Sequence, residues 1–286
     1  MLTERLVFSE TSGLLENSRL ALSSLSSMST FVNGKQVAAY HGVDEFLDST
    51  HHNIGIGSGS TIAFAVERIA ERLKTENLPI KSCVPTSVQA RHLITRHSLP
   101  LSDLDQTPVL DITFDGADEI ADSILIKGGG GCMTQEKIVA SNSKKLIILG
   151  DAKKEARFLG DVWKKGLPIE VIQMASRPVQ ERILAKFGGA CVLREAISKA
   201  GPVISDNGNF IIDWDFPVGL ENGIVENGNA KSSHHLRWKE INEYIRSIPG
   251  VVDTGLFIDM ATAVVYGEQS GKTRIVTFEN SNPFLP

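Results

Sequence analysis

The residues best suited to chemistry lie in one segment, residues 127–136, which reads KGGGGCMTQE. Four consecutive glycines lose backbone entropy on folding and supply no packing, so their use is to bring backbone N–H groups close to ligand oxygen atoms. Lys127 and Glu136, at the two ends, would offer an electrophile and a base to one small oxygen-rich molecule. This pairing suits abstraction of a proton next to a carbonyl. The alternative is a glycine-rich surface turn with two incidental charges.

A second motif, residues 55–61 (GIGSGST), leads from a predicted strand into a predicted helix. It differs from the dinucleotide-binding fingerprint, because Ser60 stands where the third glycine would fall and no acidic residue follows the second strand near residues 85–87. A helix N-terminus bearing Ser58, Ser60 and Thr61 can instead bind a single phosphate through free N–H groups, hydroxyls and the helix dipole. A simple N-cap with a tight turn is the alternative.

A third motif, residues 115–119 (DGADE), places Asp115, Asp118 and Glu119 close together. Neighbouring carboxylates repel when ionised, so a cation such as Lys127 or an array of sugar hydroxyls must hold them. Metal binding is the rival explanation, but no His or Cys lies nearby to complete a typical ligand set. We therefore predict no metal site.

Glu136 follows Thr134 at the start of a predicted helix. Acidic residues are common in the first helical turn because the helix dipole stabilises their charge, which also lowers their pKa. Burial against a bound substrate would raise that pKa. Glu136 can serve as a base near neutral pH only if burial outweighs the dipole.

The elements that must position these motifs alternate between strand and helix from about residue 36 to residue 160, which predicts a parallel sheet covered by helices. The predicted strands are 52–56, 82–84, 109–114, 124–126 and 145–149, and the predicted helices are 37–47, 61–73, 87–97 and 135–141. Each motif, and residues 151–154 (DAKK), follows a strand. Because ligands bind beyond the carboxyl ends of parallel strands, we expect all four segments to meet at one crevice.

After about residue 163 the order becomes β-α-β-β-α-β, which is typical of a ferredoxin-like α+β module. The four strands of this order are 169–174, 190–193, 210–214 and 251–258, and its helices are 178–187 and 236–248; a further short strand is predicted at 203–205. The Asn-Gly within residues 206–209 predicts a hairpin between the strands at 203–205 and 210–214. Residues 218–235, rich in Gly and Asn, are predicted to be a mobile surface insertion.

The predicted fold class is thus α/β: a Rossmann-like parallel sheet with helices on both faces, plus a smaller ferredoxin-like α+β domain. Two closing strands, 263–266 and 274–278, would return to the first domain. We predict a disordered extension at 1–27, an α/β catalytic domain formed by 28–162 with 263–286, and an α+β domain at 163–262.

Composition limits the function classes. The chain has 286 residues, 42% of them hydrophobic, and a net charge of −5, so it offers no basic field for nucleic acid. No apolar stretch approaches the ~20 residues that span a bilayer. The three cysteines are Cys83, Cys132 and Cys191. They lack CxxC spacing, which favours reduced thiols inside the cell. Residues 1–27 fit neither a transit peptide nor a signal peptide. We therefore expect a cytoplasmic protein. Met28 could be a second initiation site.

Taken together, the motifs resemble the signature segments of type A ribose-5-phosphate isomerases. The matching segments are 58–61 (SGST), 115–119 (DGADE), 127–130 (KGGG) and 134–140 (TQEKIVA), with further likeness at 188–189, 206–210 and 249–257. The resemblance covers about residues 35 to 268. Ser58 and the pair at 131–132 (GC) are similar to the animal and fungal branch.

The resemblance implies an enzyme of the pentose phosphate pathway that interconverts ribose 5-phosphate and ribulose 5-phosphate without a metal or cofactor, as a homodimer or homotetramer. Glu136 would move a proton between C1 and C2 through an enediolate, and Lys127 would stabilise the oxyanion. Asp115 and Asp118 would handle ring opening and hydroxyl protons. The substrate-binding residues it implies are Lys35, Ser58, Gly59, Ser60, Thr61, Asp115, Gly116, Ala117, Asp118, Lys127, Gly128, Gly129, Gly130 and Lys154.

Two other functions remain open at this stage. A non-catalytic phosphosugar sensor would keep the hydroxyl-rich loop but would not need Glu136 and Lys127 together, and residues 1–40 contain no evident helix-turn-helix. A deaminase or lactonase on the same scaffold would be expected to use a histidine in the crevice, and none falls in these motifs.

Overall fold

The structure, a computed structural model, describes residues 33–220 and 230–279. The predicted extension at 1–27 lies outside the described residues, as does the middle of the predicted insertion, 221–229. The end of that predicted insertion, 230–235, belongs to a helix and not to a loop.

In chain order, the strands are β1 (Asn53–Ile56), β2 (Ser82–Pro85), β3 (Ile112–Asp115), β4 (Glu119–Ala121), β5 (Ile124–Ile126), β6 (Leu146–Asp151), β7 (Leu167–Val171), β8 (Ala190–Leu193), β9 (Phe210–Asp215), β10 (Val251–Thr254), β11 (Leu256–Ile258), β12 (Ala263–Gly267) and β13 (Thr273–Thr277). The α-helices are α1 (Gly34–Phe46), α2 (Ser60–Glu76), α3 (Val88–Arg96), α4 (Met133–Ser141), α5 (Ser176–Phe187) and α6 (Ala230–Ser247). Every helix of the described part is too short or too polar to cross a membrane.

The main sheet has six strands in the order β13-β12-β6-β3-β1-β2. All neighbours are parallel except β13, which runs antiparallel to β12 at one edge. Ile147 and Leu149 of β6 pack with α1, α2 and α3, whereas Leu146 and Ile148 pack with α4 on the opposite face. Because successive strand residues point to opposite faces, this alternation of two apolar cores shows that helices cover both sides, as predicted.

The second unit is a four-stranded antiparallel sheet in the order β10-β7-β9-β8. Numbered within the β-α-β-β-α-β run, its strands follow the order 4-1-3-2, the ferredoxin-like arrangement. Its core contains side chains from α5 and α6 and two fully buried tryptophans, Trp214 and Trp238. The predicted fold class is therefore confirmed.

A small third sheet, in the order β11-β5-β4, contributes side chains to the apolar cores of both units. The predicted single strand at 251–258 is wrong, because the chain leaves the four-stranded sheet at Gly255 and β11 then pairs with β5. A side chain at Gly255 would approach the carbonyl oxygen of Lys127 to 2.1 Å, so only glycine fits there. This sheet joins segments from both predicted domains. The domain boundaries at 162 and 262 stay a prediction.

The predicted strand at 203–205 is also wrong. Residues 203–209 form a loop whose polar side chains converge on Glu170, which is fully buried on β7. Glu170 Oε1 accepts hydrogen bonds from Ser205 Oγ at 2.7 Å, Asn207 Nδ2 at 3.0 Å and Asn209 Nδ2 at 2.9 Å. Its Oε2 accepts one from Thr134 Oγ1 at 2.5 Å. The loop thus satisfies a buried carboxylate and anchors the start of α4, which a regular strand would not do.

Candidate active site

The segments singled out from the sequence meet at one crevice of about 180 Å³. It lies beyond the carboxyl ends of β1, β3 and β6 and beside the loop after β5. Its lining residues are Lys35, Ser58, Gly59, Ser60, Thr61, Gln89, Gly116, Ala117, Asp118, Lys127, Gly128, Gly130, Cys132, Glu136 and Lys154. Two predicted site residues, Asp115 and Gly129, lie directly behind this lining and contact Lys127 and Asp118, respectively.

A buried charge cluster lies in this crevice. The ammonium Nζ of Lys127 is 3.0 Å from Asp115 Oδ2 and 3.4 Å from Glu136 Oε2, and it also donates to the carbonyl oxygen of Gly116. Lys127, Asp115 and Glu136 are 2%, 0% and 5% exposed. Apart from its contact with Lys127, Glu136 Oε2 accepts no hydrogen bond among the described residues, so it is available to take a proton.

Two carboxylates lie beside one ammonium, and this imbalance affects the protonation of Glu136. Burial and the negative charge of Asp115 raise the pKa of Glu136 to about 8, although Lys127 acts in the opposite direction. Burial works against the charge of Lys127, but Asp115 and Glu136 outweigh it and raise the pKa of the ammonium. Glu136 therefore titrates near pH 8, because burial and the charge of Asp115 outweigh the attraction of Lys127.

The raised pKa of Glu136 predicts a pH-dependent effect of Glu136→Gln on stability. Below the ordinary pKa of 4.5 the carboxyl is neutral in both folded and unfolded states. Between there and about 8 only the unfolded state ionises, so the wild-type free energy of unfolding falls as pH rises, and it levels off above that range. Gln does not ionise. The variant should thus gain stability over wild type across this range, by on the order of a few kcal/mol.

Urea unfolding near the two ends of this pH range measures the difference. Glu181, exposed on α5 and paired with Arg177, provides a control, since Glu181→Gln removes a solvated carboxylate. An equal stability difference at both pH values for Glu136→Gln would mean that the pKa of Glu136 is not raised in the folded protein.

Asp115 is fixed by the turn after β1. Its Oδ1 accepts hydrogen bonds from the backbone N–H of Ser58 at 3.1 Å and of Gly116 at 2.7 Å. A side chain at Gly57 would come within 2.1 Å of Asp115 Oδ1, so this glycine is what lets the carboxylate lie against the turn. The two motifs therefore position each other across neighbouring parallel strands.

The three carboxylates of residues 115–119 divide into two roles. Asp118 Oδ2 accepts a hydrogen bond from the backbone N–H of Gly129 at 2.6 Å and so joins the crevice to the glycine loop. Glu119 faces the other way, is fully buried and binds the backbone N–H groups of the loop at Gly160 (2.6 Å), Val162 (2.5 Å) and Trp163 (2.9 Å). Glu119 therefore holds that loop in place.

The opposite end of the crevice collects hydroxyls and lysines at the N-terminus of α2. Lys35 Nζ donates to Ser60 Oγ at 2.9 Å, and Thr61 lies in the first turn of the helix. Lys154 Nζ lies 5.6 Å from the centre of the Trp163 ring. Two ammonium groups and a helix N-terminus that face one space are suited to an anion such as a phosphate.

The Ser58 hydroxyl and Gln89 add features that the motif spacing did not reveal. Ser58 Oγ lies 2.8 Å from Thr86 Oγ1 and 2.6 Å from Ser87 Oγ, so it belongs to a cluster of hydroxyls. Gln89 Oε1 accepts a hydrogen bond from the backbone N–H of Gly59 at 2.8 Å and lines the crevice. Gln89 was missed because it comes from the first turn of α3, after a different strand, and no local sequence pattern marks it.

Two other kinds of chemistry, nucleophilic attack by a thiol and metal binding, are not favoured by the arrangement of the side chains. Burial raises the pKa of the Cys132 thiol to about 11, which keeps it protonated and poorly nucleophilic. Across residues 33–220 and 230–279, no group of three or more His, Cys, Asp and Glu side chains is placed to hold a metal ion. That this chemistry needs no metal or cofactor stays a prediction.

A parallel sheet with a buried carboxylate and ammonium at its carboxyl edge, and two lysines beside a helix N-terminus, is an arrangement suited to enzymes that move a proton next to a carbonyl of a phosphorylated substrate. Known proteins agree with this class. A profile of the family described as ribose 5-phosphate isomerase A (phosphoriboisomerase A) matches residues 82–271. The chain belongs to the ribose 5-phosphate isomerase A family.

Individual relatives span nearly the whole described chain. Ribose-5-phosphate isomerase of Sus scrofa is 50% identical over 251 residues, which cover 87% of this chain and 76% of that protein. The structure of ribose 5-phosphate isomerase A from Methanocaldococcus jannaschii is similar with a TM-score of 0.71 and 36% identity, covering 85% of this chain and 98% of that one. A D-ribose-5-phosphate isomerase solved with phospho-erythronic acid has a TM-score of 0.73 and 35% identity, covering 85% and 97%.

Proposed function

We propose that the crevice interconverts ribose 5-phosphate and ribulose 5-phosphate with Glu136 as the base and Lys127 as the electrophile. The family identifies the chain as an aldose–ketose isomerase of these sugar phosphates, and the roles of individual residues are our proposal. The observation that carries it is the buried pair itself: Glu136 Oε2 lies 3.4 Å from Lys127 Nζ in the crevice. A phosphosugar sensor would have no use for a buried base beside an ammonium, so we do not retain that alternative.

The reaction follows from this pair. In the open-chain aldose, the ionised carboxylate of Glu136 removes the proton from C2, and the electrons move into a C1–C2 double bond to leave negative charge on O1. Glu136 then returns the proton to C1, the O2 hydroxyl loses its proton to O1, and C2 becomes the ketone. The ammonium of Lys127 stabilises the oxyanion, a contribution of about 3–4 kcal/mol for a preorganised donor.

Asp115 and Asp118 are proposed to move the hydroxyl protons. Ring opening needs transfer of a proton from the O1 hydroxyl to the ring oxygen, and transfer between O1 and O2 is needed in the enediolate. Asp118 lines the crevice and is held by the N–H of Gly129. Asp115 contacts the Lys127 ammonium, through which it influences the same oxygens.

The phosphate is proposed to bind at the N-terminus of α2, with Lys35, Ser60, Thr61 and Lys154 as its contacts. A similar protein has been solved in complex with phospho-erythronic acid, which supports a phosphorylated ligand for this crevice. That molecule carries a phosphate at one end and a carboxylate at the other, and its two carboxylate oxygens resemble those of an enediolate. Such a ligand needs an anion site and a separate oxyanion site in one crevice.

Formation of ribulose 5-phosphate from ribose 5-phosphate by the purified protein tests the activity directly, and absence of turnover by the folded protein would contradict it. We also propose that the protein acts in the cytoplasm as a homodimer or homotetramer, as the family resemblance implies. Light scattering should give the mass of two or four chains, and a single-chain mass would rule this out.

Adjacent lysines give a matched test of the phosphate site. Lys154 lines the crevice, whereas its neighbour Lys153 is exposed and does not. Lys154→Met should raise KM for ribose 5-phosphate about 10-fold or more with little change in kcat, because it removes a charged hydrogen bond worth about 1.5–3 kcal/mol that is made equally in the ground and transition states. Steady-state kinetics measures this.

Lys153→Met should behave as wild type in the same assay. If both variants changed KM equally, the effect would be one of general charge, and the assignment of Lys154 to the phosphate would be wrong.

A further inference from the structure

Arg194, which follows β8 in the ferredoxin-like unit, reaches across to the glycine loop. Its guanidinium is held by Asp213 of β9, with Nε 2.8 Å from Oδ2 and Nη2 2.5 Å from Oδ1. The third nitrogen, Nη1, donates to the carbonyl oxygens of Gly128 at 2.9 Å and Gly129 at 3.3 Å. The Arg194 side chain is only 16% exposed. The chemistry described above makes no use of this residue.

The geometry of the peptide bond links these contacts to the crevice. In a trans peptide the C=O and the following N–H point in opposite directions. Across the peptide from the Gly128 carbonyl, the N–H of Gly129 donates to Asp118 Oδ2 at 2.6 Å. Across the peptide from the Gly129 carbonyl, the N–H of Gly130 points away from Arg194, and Gly130 lines the crevice.

The glycine loop needs such an external support. Glycine restricts its own backbone less than any other residue, so a run of four glycines does not hold one conformation by itself. Gly128 and Gly131 have φ of +103° and +82°, and one internal hydrogen bond joins Gly131 N to Gly128 O at 2.9 Å. A cation on the carbonyl side of two consecutive peptides both fixes their planes and polarises their N–H groups.

We propose that Arg194 is a positioning residue for the isomerisation: it orients the glycine loop so that the Gly129 N–H holds Asp118 and the Gly130 N–H faces the substrate oxygen that becomes negatively charged. This inference rests on the proposed function of the crevice. Arg194 does not touch the substrate. It acts through two peptide groups, and Asp213 in turn fixes its guanidinium.

The test compares Arg194→Gln, Arg194→Lys and Arg177→Gln in steady-state kinetics with ribose 5-phosphate. Arg194→Gln should lower kcat about 10- to 100-fold, somewhat less than loss of a direct oxyanion donor. KM and competitive inhibition by inorganic phosphate should stay within about 2-fold, because the phosphate end is untouched. Arg194→Lys should recover part of kcat. Arg177, exposed on α5, provides the control and should behave as wild type.

A merely structural role would give a different pattern, in which phosphate inhibition weakens together with kcat. That pattern, or a folded Arg194→Gln with wild-type kcat, would overturn the inference. If Arg194→Gln does not fold, the Arg194→Lys and Asp213→Asn variants provide the test. A kcat at least about 3-fold lower than wild type with unchanged KM would support the positioning role. A wild-type kcat would contradict it. Loss of turnover in Glu136→Gln alongside normal turnover in Arg194→Gln would reject only this inference and leave the proposed function intact.

Discussion

Replacing Glu136 with Gln should lower kcat for ribose 5-phosphate by about 10²–10⁴-fold, the range expected for loss of a general base. Gln has the shape of Glu but cannot accept the proton from C2. Because the crevice keeps its lysines and its helix N-terminus, KM should change by no more than a few-fold. Continuous measurement of ribulose 5-phosphate, together with calorimetric titration of ribose 5-phosphate into the variant, separates turnover from binding.

The pH dependence of the wild-type enzyme provides an internal check on this result. In the proposed mechanism the carboxylate of Glu136 is the active form, and its pKa is raised to about 8. In the free enzyme, kcat/KM should therefore rise with pH and level off above that value. Glu181→Gln, on an exposed carboxylate, should retain both the rate and the profile. Normal turnover by Glu136→Gln would remove Glu136 from the role of base, whatever the pH profile of the wild type.

Replacing Lys127 with Met should have the second largest effect, a fall in kcat of about 10²–10³-fold, because it removes a preorganised cation from the developing oxyanion. The same change removes the one group in the cluster that lowers the pKa of Glu136, so that pKa should rise further. The pH at which kcat/KM levels off should then move upward. A pH–rate profile of the variant measures both effects at once.

Lys127→Met also leaves Asp115 in a buried position without its ammonium partner, so its folded state must be verified by circular dichroism before the kinetics are interpreted. Lys144→Met, at an exposed lysine paired with Asp111, controls for loss of a positive charge. A variant at Lys127 that lost kcat without any upward displacement of the pH profile would show that the ammonium does not act on Glu136.

Several features of the site could be predicted because they follow from local rules. The turns after β1, β3 and β5 carry their functional residues in short continuous motifs, and parallel strands bring their carboxyl ends to one edge. The glycine run and its flanking Lys127 and Glu136 were therefore expected to meet the hydroxyls of residues 58–61, and the structure brings them together. For the same reason most helices and strands begin and end within a few residues of their predicted positions.

The features that were missed depend on contacts between distant segments. Glu119 looks equivalent to Asp115 and Asp118 in the sequence, yet its carboxylate binds the loop at 160–163. The strand predicted at 203–205 gives way to a loop because Glu170, far away in sequence, needs its polar groups. Arg194 lies outside every motif, and only the docking of β8 and β9 against the glycine loop brings its guanidinium to those carbonyls.

The amino-acid sequence by itself indicated the kind of chemistry: a lysine, a glycine loop, an acid and a hydroxyl-rich turn, each placed after a strand, since backbone conformation and hydrogen-bonding capacity are local properties. Only the tertiary structure decided the protonation of Glu136. Its pKa depends on burial and on the distances to Asp115 and Lys127, and those distances exist only once β3, β5 and α4 have packed together. Electrostatic energy varies with separation and with exclusion of water, and neither quantity is contained in the order of residues along the chain.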